Sequence, residues 1–345
     1  MKPCLVIGSG FHSWVLGKNS TPLSNWDELI DQVAENLLVS IPSHTLSPVL
    51  RWEKLLELAS DNGYRKPSTA PVWIPAKSHN ASQIEPDAKL AVRGILENLS
   101  NNYPYLSSRA KFPLNEVFAA VISLNFDNSW LGNTNYLYGL DASLQKSSQL
   151  SQKEFERLHC FIKSNQHPKT KIWYPNGSIQ NPETIRMGLY DFGSQPHALK
   201  HAFNHIKSYE KDSYQKLGSD DWIQYEAILE RELENHSIPD QPTDARINNW
   251  VADFLYRPIY FAGVGLSKSE IGLWWLLAQR ARNLAKIPSR ESPATTILVN
   301  TKTNQKDFWA NKPCGVEALY CDNWDIGWEM IMDHVNPKPI GGGRF

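Results

Sequence analysis

The chain has 345 residues, 41% of them hydrophobic and 21% charged, with a formal net charge of −1. Such a length can bury the core of one large α/β domain or of two, and the near-zero charge leaves no electrostatic footprint for nucleic-acid binding. No apolar run reaches the roughly 18 residues of a membrane span and no signal-peptide pattern precedes the first apolar stretch, so a cytoplasmic protein without membrane contact is expected.

The first predicted strand, Pro3-Cys4-Leu5-Val6-Ile7, runs directly into Gly8-Ser9-Gly10-Phe11-His12. Glycines at such a turn let backbone approach a ligand, and the amides that follow can nest a phosphate, although strand-to-helix turns use the same residues without any nucleotide. Apolar residues at helical spacing then predict helices over Trp26 to Leu38, Leu50 to Leu58 and Pro86 to Leu99. The loop from Tyr64 to Glu85 is too long for a plain connection, and a lid, a partner-binding arm and an unstructured excursion all fit it.

A second strand, Val117 to Ile122, ends in Ser123-Leu124-Asn125-Phe126-Asp127. Ligands of parallel α/β sheets bind outside the carboxyl ends of strands, so Asn125 and Asp127 mark a candidate site; the same residues also open ordinary turns. A third segment, Ile172-Trp173-Tyr174, leads into Pro175-Asn176-Gly177-Ser178, and a helical block follows, roughly from His197 to Leu255. The acids of that block, Asp220-Asp221 and the run Glu226 to Glu234, alternate with apolar positions as on an amphipathic helix. A fourth strand, within Pro258 to Leu266, breaks into Gly263-Val264-Gly265-Leu266. Ser267-Lys268-Ser269-Glu270 then has capping-box spacing before an apolar helix from Ile271 to about Leu284. Two more strands, Ala294 to Asn300 and Val316 to Tyr320, precede a helix over Asp325 to His334 and a patternless tail from Pro337 to Phe345.

The expected architecture is therefore α/β: one domain spanning 1–345 around a Rossmann-like parallel sheet flanked by helices, with helical insertions at about 26–115 and 197–255 forming a cap. Cys4, Cys160, Cys314 and Cys321 are scattered, with no Cys-x-x-Cys pair for a zinc ribbon. His197, His201 and His205 share a helical face, which suits a packed or solvated surface better than zinc because no Glu or Cys accompanies them; no metal is expected. Thirteen tryptophans is a high count, and the pairs Trp274/Trp275 and Trp324/Trp328 suit core packing or a subunit contact.

In order and wording these motifs resemble the SIR2-like family, the nucleotide-binding fold shared by sirtuins and bacterial NAD-consuming defence effectors. The resemblance runs through Gly8-Ser9-Gly10, Asn25-Trp26-Asp27-Glu28-Leu29, Ser123-Leu124-Asn125-Phe126-Asp127 (for the family's Thr-x-Asn-x-Asp), Ile172 to Ser178, and Gly263 to Ser267 with Glu270 and Trp274-Trp275. It implies NAD+ as substrate and cleavage of the nicotinamide–ribose bond. On that reading Asn125 orients the ribose or a water and Asp127 supports it, while Gly8, Ser9, Gly10, Phe11, His12, Gly177, Gly263, Gly265 and Leu266 hold the nucleotide and Asn300 touches the adenine ribose. Loss of nicotinamide develops positive charge on the ribose, which neutral amides and carboxylates stabilise.

The chain departs from the family where the general base belongs, because Asn176 stands in place of the His of His-Gly. An amide cannot carry a proton through a reaction. A chain that binds without turnover, a base supplied elsewhere, and replacement of a natural His all account for it, as does a plain Asn-Gly turn. Absence of the four-Cys zinc module counts against a protein deacylase. Two classes remain: an NAD+ glycohydrolase effector of an antiphage abortive-infection system, triggered by a separate sensor protein in a homo- or hetero-oligomer, or a non-catalytic subunit that binds NAD or ADP-ribose.

Overall fold

A computed structural model describes residues 1–16, 21–22, 25–41, 46–61, 81–102, 117–127, 150–164, 167–217, 227–229, 231–233, 244, 246–266, 270–284, 295–302 and 305–336. Strands β1 (Cys4–Ile7), β2 (Ala120–Ser123), β3 (Phe161–Ser164), β4 (His167–Trp173), β5 (Ile259–Ala262), β6 (Thr296–Asn300) and β7 (Val316–Tyr320) form one sheet in the order β3-β4-β2-β1-β5-β6-β7. All pairs are parallel except β3 with β4. Leaving aside the antiparallel edge strand β3, the six parallel strands run 3-2-1-4-5-6 in chain order, the Rossmann arrangement. The chain builds outward from β1 through β2 to β4, then returns to the other side of β1 with β5. The switch point, where a ligand crevice opens in such sheets, therefore lies between the carboxyl ends of β1 and β5.

Side chains alternate across β1 with the period of two that a strand imposes. Leu5 and Ile7 enter one core with Val121, Ile172, Tyr260, Ala262, Ile297 and Val299, whereas Cys4 and Val6 enter the other with Ala120, Ile122, Trp173, Phe261 and Leu298. Both faces are buried, as a parallel sheet requires. The first is covered by α1 (Ser9–Leu16), α2 (Trp26–Asn36), α3 (Pro48–Asp61), α4 (Ala81–Asn102) and the C-terminal-most described helix, Trp324–Val335. The second is covered by α5 (Gln152–His159), α6 (Leu189–Leu217), α7 (Trp250–Tyr256) and α8 (Ile271–Leu284), together with Trp309 of the short α9 (Lys306–Ala310). The Trp324–Val335 helix is α10.

The two helical blocks expected to form a cap thus supply much of the covering layer on each face. The first block also overhangs the carboxyl edge, for the Trp26 ring lies 5.1 Å from that of Phe126 and 6.0 Å from that of Phe192. Helix α2 starts at Trp26 because Asn25, in extended conformation, accepts a hydrogen bond from the Asp27 amide, and Asp27 and Glu28 fill the first turn where negative charge suits the helix dipole.

Several boundaries differ from the sequence reading. Helix α4 begins at Ala81, ahead of Pro86, so the end of the expected Tyr64–Glu85 loop is helical and its residues 64–80 lie outside the described residues. Helix α6 begins at Leu189 and runs through Pro196. Most of the Ser267-Lys268-Ser269-Glu270 motif, Asp220-Asp221, the ends of the Glu226–Glu234 run and the tail from 337 also lie outside the described residues.

Candidate functional site

The glycine turns after β1 and β5 meet backbone to backbone. Gly10 donates its amide to the Gly263 carbonyl at 2.9 Å, and Gly8 donates to the Ala262 carbonyl at 3.2 Å. A Cβ on Gly8 would stand 2.7 Å from the Gly263 oxygen; one on Gly263, which has φ +66°, would stand 2.0 Å from the Phe11 nitrogen. Close packing of two turns accounts for these glycines. The Phe11 amide bonds the Gly8 carbonyl at 3.0 Å, so the amides of Gly8, Gly10 and Phe11, expected to nest a phosphate, are engaged inside the protein. Gly265 has open space around it, and Leu266 is buried with φ +44°. Ser9, half-buried, opens α1.

That junction delivers His12, on the first turns of α1, to the end of β2. The ring is fully buried. Its Nε2 lies 3.0 and 3.1 Å from the two carboxylate oxygens of Asp127, and its Nδ1 lies 2.6 Å from the Asn125 amide nitrogen. Asp127 is 1% exposed and Asn125 5%. The loop bearing them is tied to its neighbours: the Leu124 amide donates to the Ile7 carbonyl, Ser123 Oγ to the Asn125 carbonyl, and the Ile179 amide to the Phe126 carbonyl. Asp127 thus pairs with His12, and a residue expected only to touch the nucleotide stands at the centre of the polar cluster.

Asn176 is close by but does different work. Its amide nitrogen donates to the Leu124 carbonyl at 3.0 Å, bracing the β2 loop against the one after β4. Gly177 closes a turn onto the Tyr174 carbonyl at 2.9 Å with φ +89°, where a Cβ would meet the Thr184 oxygen at 2.0 Å. Asn176-Gly177 therefore serves as a tight turn. Asn300 is also a turn residue: its Oδ1 accepts from the Lys302 amide at 2.8 Å and its amide donates to Gln305 at 3.1 Å.

Two hollows flank the cluster along the carboxyl edge. One, of about 30 Å³, lies past β4 and is lined by Cys160, Tyr174, Gly177, Ser178, Asn181 and Thr184 among others. The other, of about 10 Å³, has room for about one water and lies at the switch point between Phe11, Trp14, Gly263, Trp324 and Trp328. Trp14 stacks on Trp328 with centroids 5.9 Å apart and donates to Asp325 at 2.8 Å. Following the strand order, the sequence of features is the Gly177 hollow, Asn125 and Asp127, His12, and the tryptophan hollow.

Behind the β4 loop is a buried ionic network that no sequence motif announced. Arg157 donates to Glu154 at 2.5 Å and to Asp191 at 2.6 Å; Arg186 donates to Glu154 and Lys89 to Asp191, both at 2.7 Å. Burial pushes the Arg186 guanidinium down to about 10, and the neighbouring Arg157 adds to the shift against the pull of Glu154 and Asp191. Burial alone would raise the Asp191 carboxyl, but Arg157 and Lys89 hold it below its ordinary value. The network fixes the segment that carries Gly177, since Arg157 also donates to the Thr184 carbonyl at 2.6 Å and the Arg186 amide donates to the Asn176 carbonyl at 2.7 Å.

His201 and His205 stack at 4.3 Å on α6. Among the described residues no group of three His, Cys, Asp or Glu side chains is placed to hold a metal ion. No described helix is long and apolar enough to cross a membrane. No protein-family model matches the chain, and no curated protein matches it in sequence.

Proposed function

We propose that the chain binds NAD+ across the switch point and cleaves its nicotinamide–ribose bond, the activity implied by its resemblance to SIR2-like proteins. The observation that carries this reading is the buried His12–Asn125–Asp127 cluster at the carboxyl ends of β1 and β2, with a hollow on either side. Buried polar groups are costly unless fully bonded, and an Asn that ends a Rossmann strand beside the switch point is suited to ligand contact. In the proposed reaction Asn125 offers its amide to the ribose hydroxyls or to the attacking water as nicotinamide leaves.

The biological role belonging to this reading is that of an NAD+-depleting effector of antiphage abortive infection, held inactive until a separate sensor protein engages it in an oligomer. A second reading, a subunit that binds NAD or ADP-ribose without turnover, is favoured by one specific observation: Asn176 is occupied as a brace to the Leu124 carbonyl and has no acid–base capacity. Release of nicotinamide and ADP-ribose from NAD+ by the native chain and by Asn176→His decides between them. Cleavage by the native chain supports the hydrolase; cleavage by Asn176→His alone marks a hydrolase fold whose general base is disabled at Asn176. If neither cleaves while NAD+ still raises the melting temperature, the binding subunit is the correct description.

A further inference from the structure

We propose that His12 is a positioning residue that fixes the Asn125 amide with its carbonyl oxygen turned away from the ring and toward the crevice, so that the group received there must be a hydrogen-bond donor. This rests on the crevice being the ligand site of the function proposed above.

The argument follows from donor and acceptor capacity. An ionised Asp127 carboxylate only accepts, and both of its oxygens lie within 3.1 Å of His12 Nε2, so Nε2 carries the hydrogen. In a neutral imidazole the other nitrogen is then an acceptor. Nδ1 lies 2.6 Å from Asn125, which must present its NH2 group there as donor. An amide has only two ends. With the nitrogen committed to His12, Oδ1 occupies the opposite side of the group, and reversing the amide would set its carbonyl oxygen against the lone pair of Nδ1. The 0% exposure of His12 shields this chain of bonds from water, which would otherwise satisfy either orientation.

The chain Asp127–His12–Asn125 therefore works as a lever of orientation. The carboxylate selects the tautomer, the tautomer selects the amide orientation, and the amide offers an acceptor oxygen to the ligand. His12 has no nitrogen left to take a proton from substrate, so it acts through Asn125. A ribose hydroxyl or a water is the kind of group an amide oxygen binds, and the same oxygen stabilises positive charge developing nearby.

Nitrogen-15 NMR of histidine-labelled protein at neutral pH, without ligand, tests the orientation independently of any activity. The expected spectrum shows His12 as the neutral tautomer with Nε2 protonated, Nδ1 unprotonated and coupled through a hydrogen bond to the Asn125 side-chain amide. A ring protonated at Nδ1, or at both nitrogens, overturns the proposal. His12→Lys, whose ammonium can donate to Asp127 but carries no acceptor for Asn125, supplies the functional arm in the Asn176→His protein. There kcat/KM for NAD+ is expected to fall about 100-fold, as for a misplaced catalytic group; an unchanged kcat/KM in a folded His12→Lys protein also overturns it. Should Asn176→His itself prove unable to bind or cleave NAD+, the functional reading fails while the spectrum still decides the orientation of Asn125.

Discussion

Gly263→Ala should destabilise the protein far more than Gly265→Ala, although the two positions are two residues apart in one turn. Gly263 has φ +66°, and its added Cβ would meet Phe11 nitrogen at 2.0 Å, Gly10 carbon at 2.5 Å and Phe11 Cα at 2.9 Å. All three are backbone atoms, so no rotamer change relieves the clash. The left-handed conformation costs a residue with a Cβ roughly 1–2 kcal/mol, and overpacking typically adds roughly 1–3 kcal/mol, giving a loss of about 2–5 kcal/mol. That is a large part of the roughly 5–15 kcal/mol that separates native from unfolded domains. At Gly265 nothing lies within 4 Å of the new Cβ and no positive φ opposes it, so the change should stay within about 0.5 kcal/mol. Urea unfolding followed by circular dichroism measures both, the midpoint falling for Gly263→Ala with an unchanged slope. Equal midpoints for the two variants would refute the claim that the β1 and β5 turns are pressed together at the switch point.

Other perturbations probe the rest of the site. Glu154→Gln leaves the buried Arg157 and Arg186 without a shared carboxylate and should cost about 3–5 kcal/mol in thermal or chemical unfolding. Because the Asp191 carboxyl is held below its ordinary value in the folded state, its contribution to stability is fully present above the unfolded pKa of roughly 3.9 and is lost as pH falls through the folded value. Asp191→Asn should therefore flatten the acid limb of a stability-versus-pH curve. Asn176→Ala removes one hydrogen bond to the Leu124 carbonyl and should cost roughly 0.5–1.5 kcal/mol, read as a small drop in unfolding midpoint. Burial pushes the Cys160 thiol up to about 12 and raises Cys4 and Cys321 as well, so iodoacetamide at pH 8, followed by peptide mass spectrometry, should modify Cys314 ahead of the other three.

How far the sequence revealed this structure depended on where the apolar residues fall. Continuous apolar runs disclosed β1, β5 and β6, and helical periodicity disclosed α2, α3 and α8, because burial there follows the simple two-face and one-face rules. Helix α5 escaped because half of its buried face is ionic: Glu154 and Arg157 are buried beside Phe155 and Leu158, and only tertiary partners from 186 and 191 make that tolerable. The neighbouring β3 is a four-residue edge strand ending in Lys163-Ser164, without an apolar alternation to announce it. The Asn125–Asp127 pair was legible as a strand end. Its partnership with His12 was not, for the two contacts span 113 and 115 residues of chain and depend on the β1–β2 pairing that brings α1 alongside. Asn176-Gly177 was legible as a turn but equally as a disabled catalytic dipeptide, and the backbone at Gly177 shows that the turn is real.

The central claim, that the carboxyl edge between β4 and β5 is a nucleotide site organised by Asn125, is tested most directly by isothermal titration of ADP-ribose into the native chain and into Asn125→Ala. The account predicts saturable one-site binding to the native chain, weakened at least tenfold in the variant, or about 1.4 kcal/mol. Absence of heat with the native chain, or equal affinity in a folded Asn125→Ala protein, would contradict it.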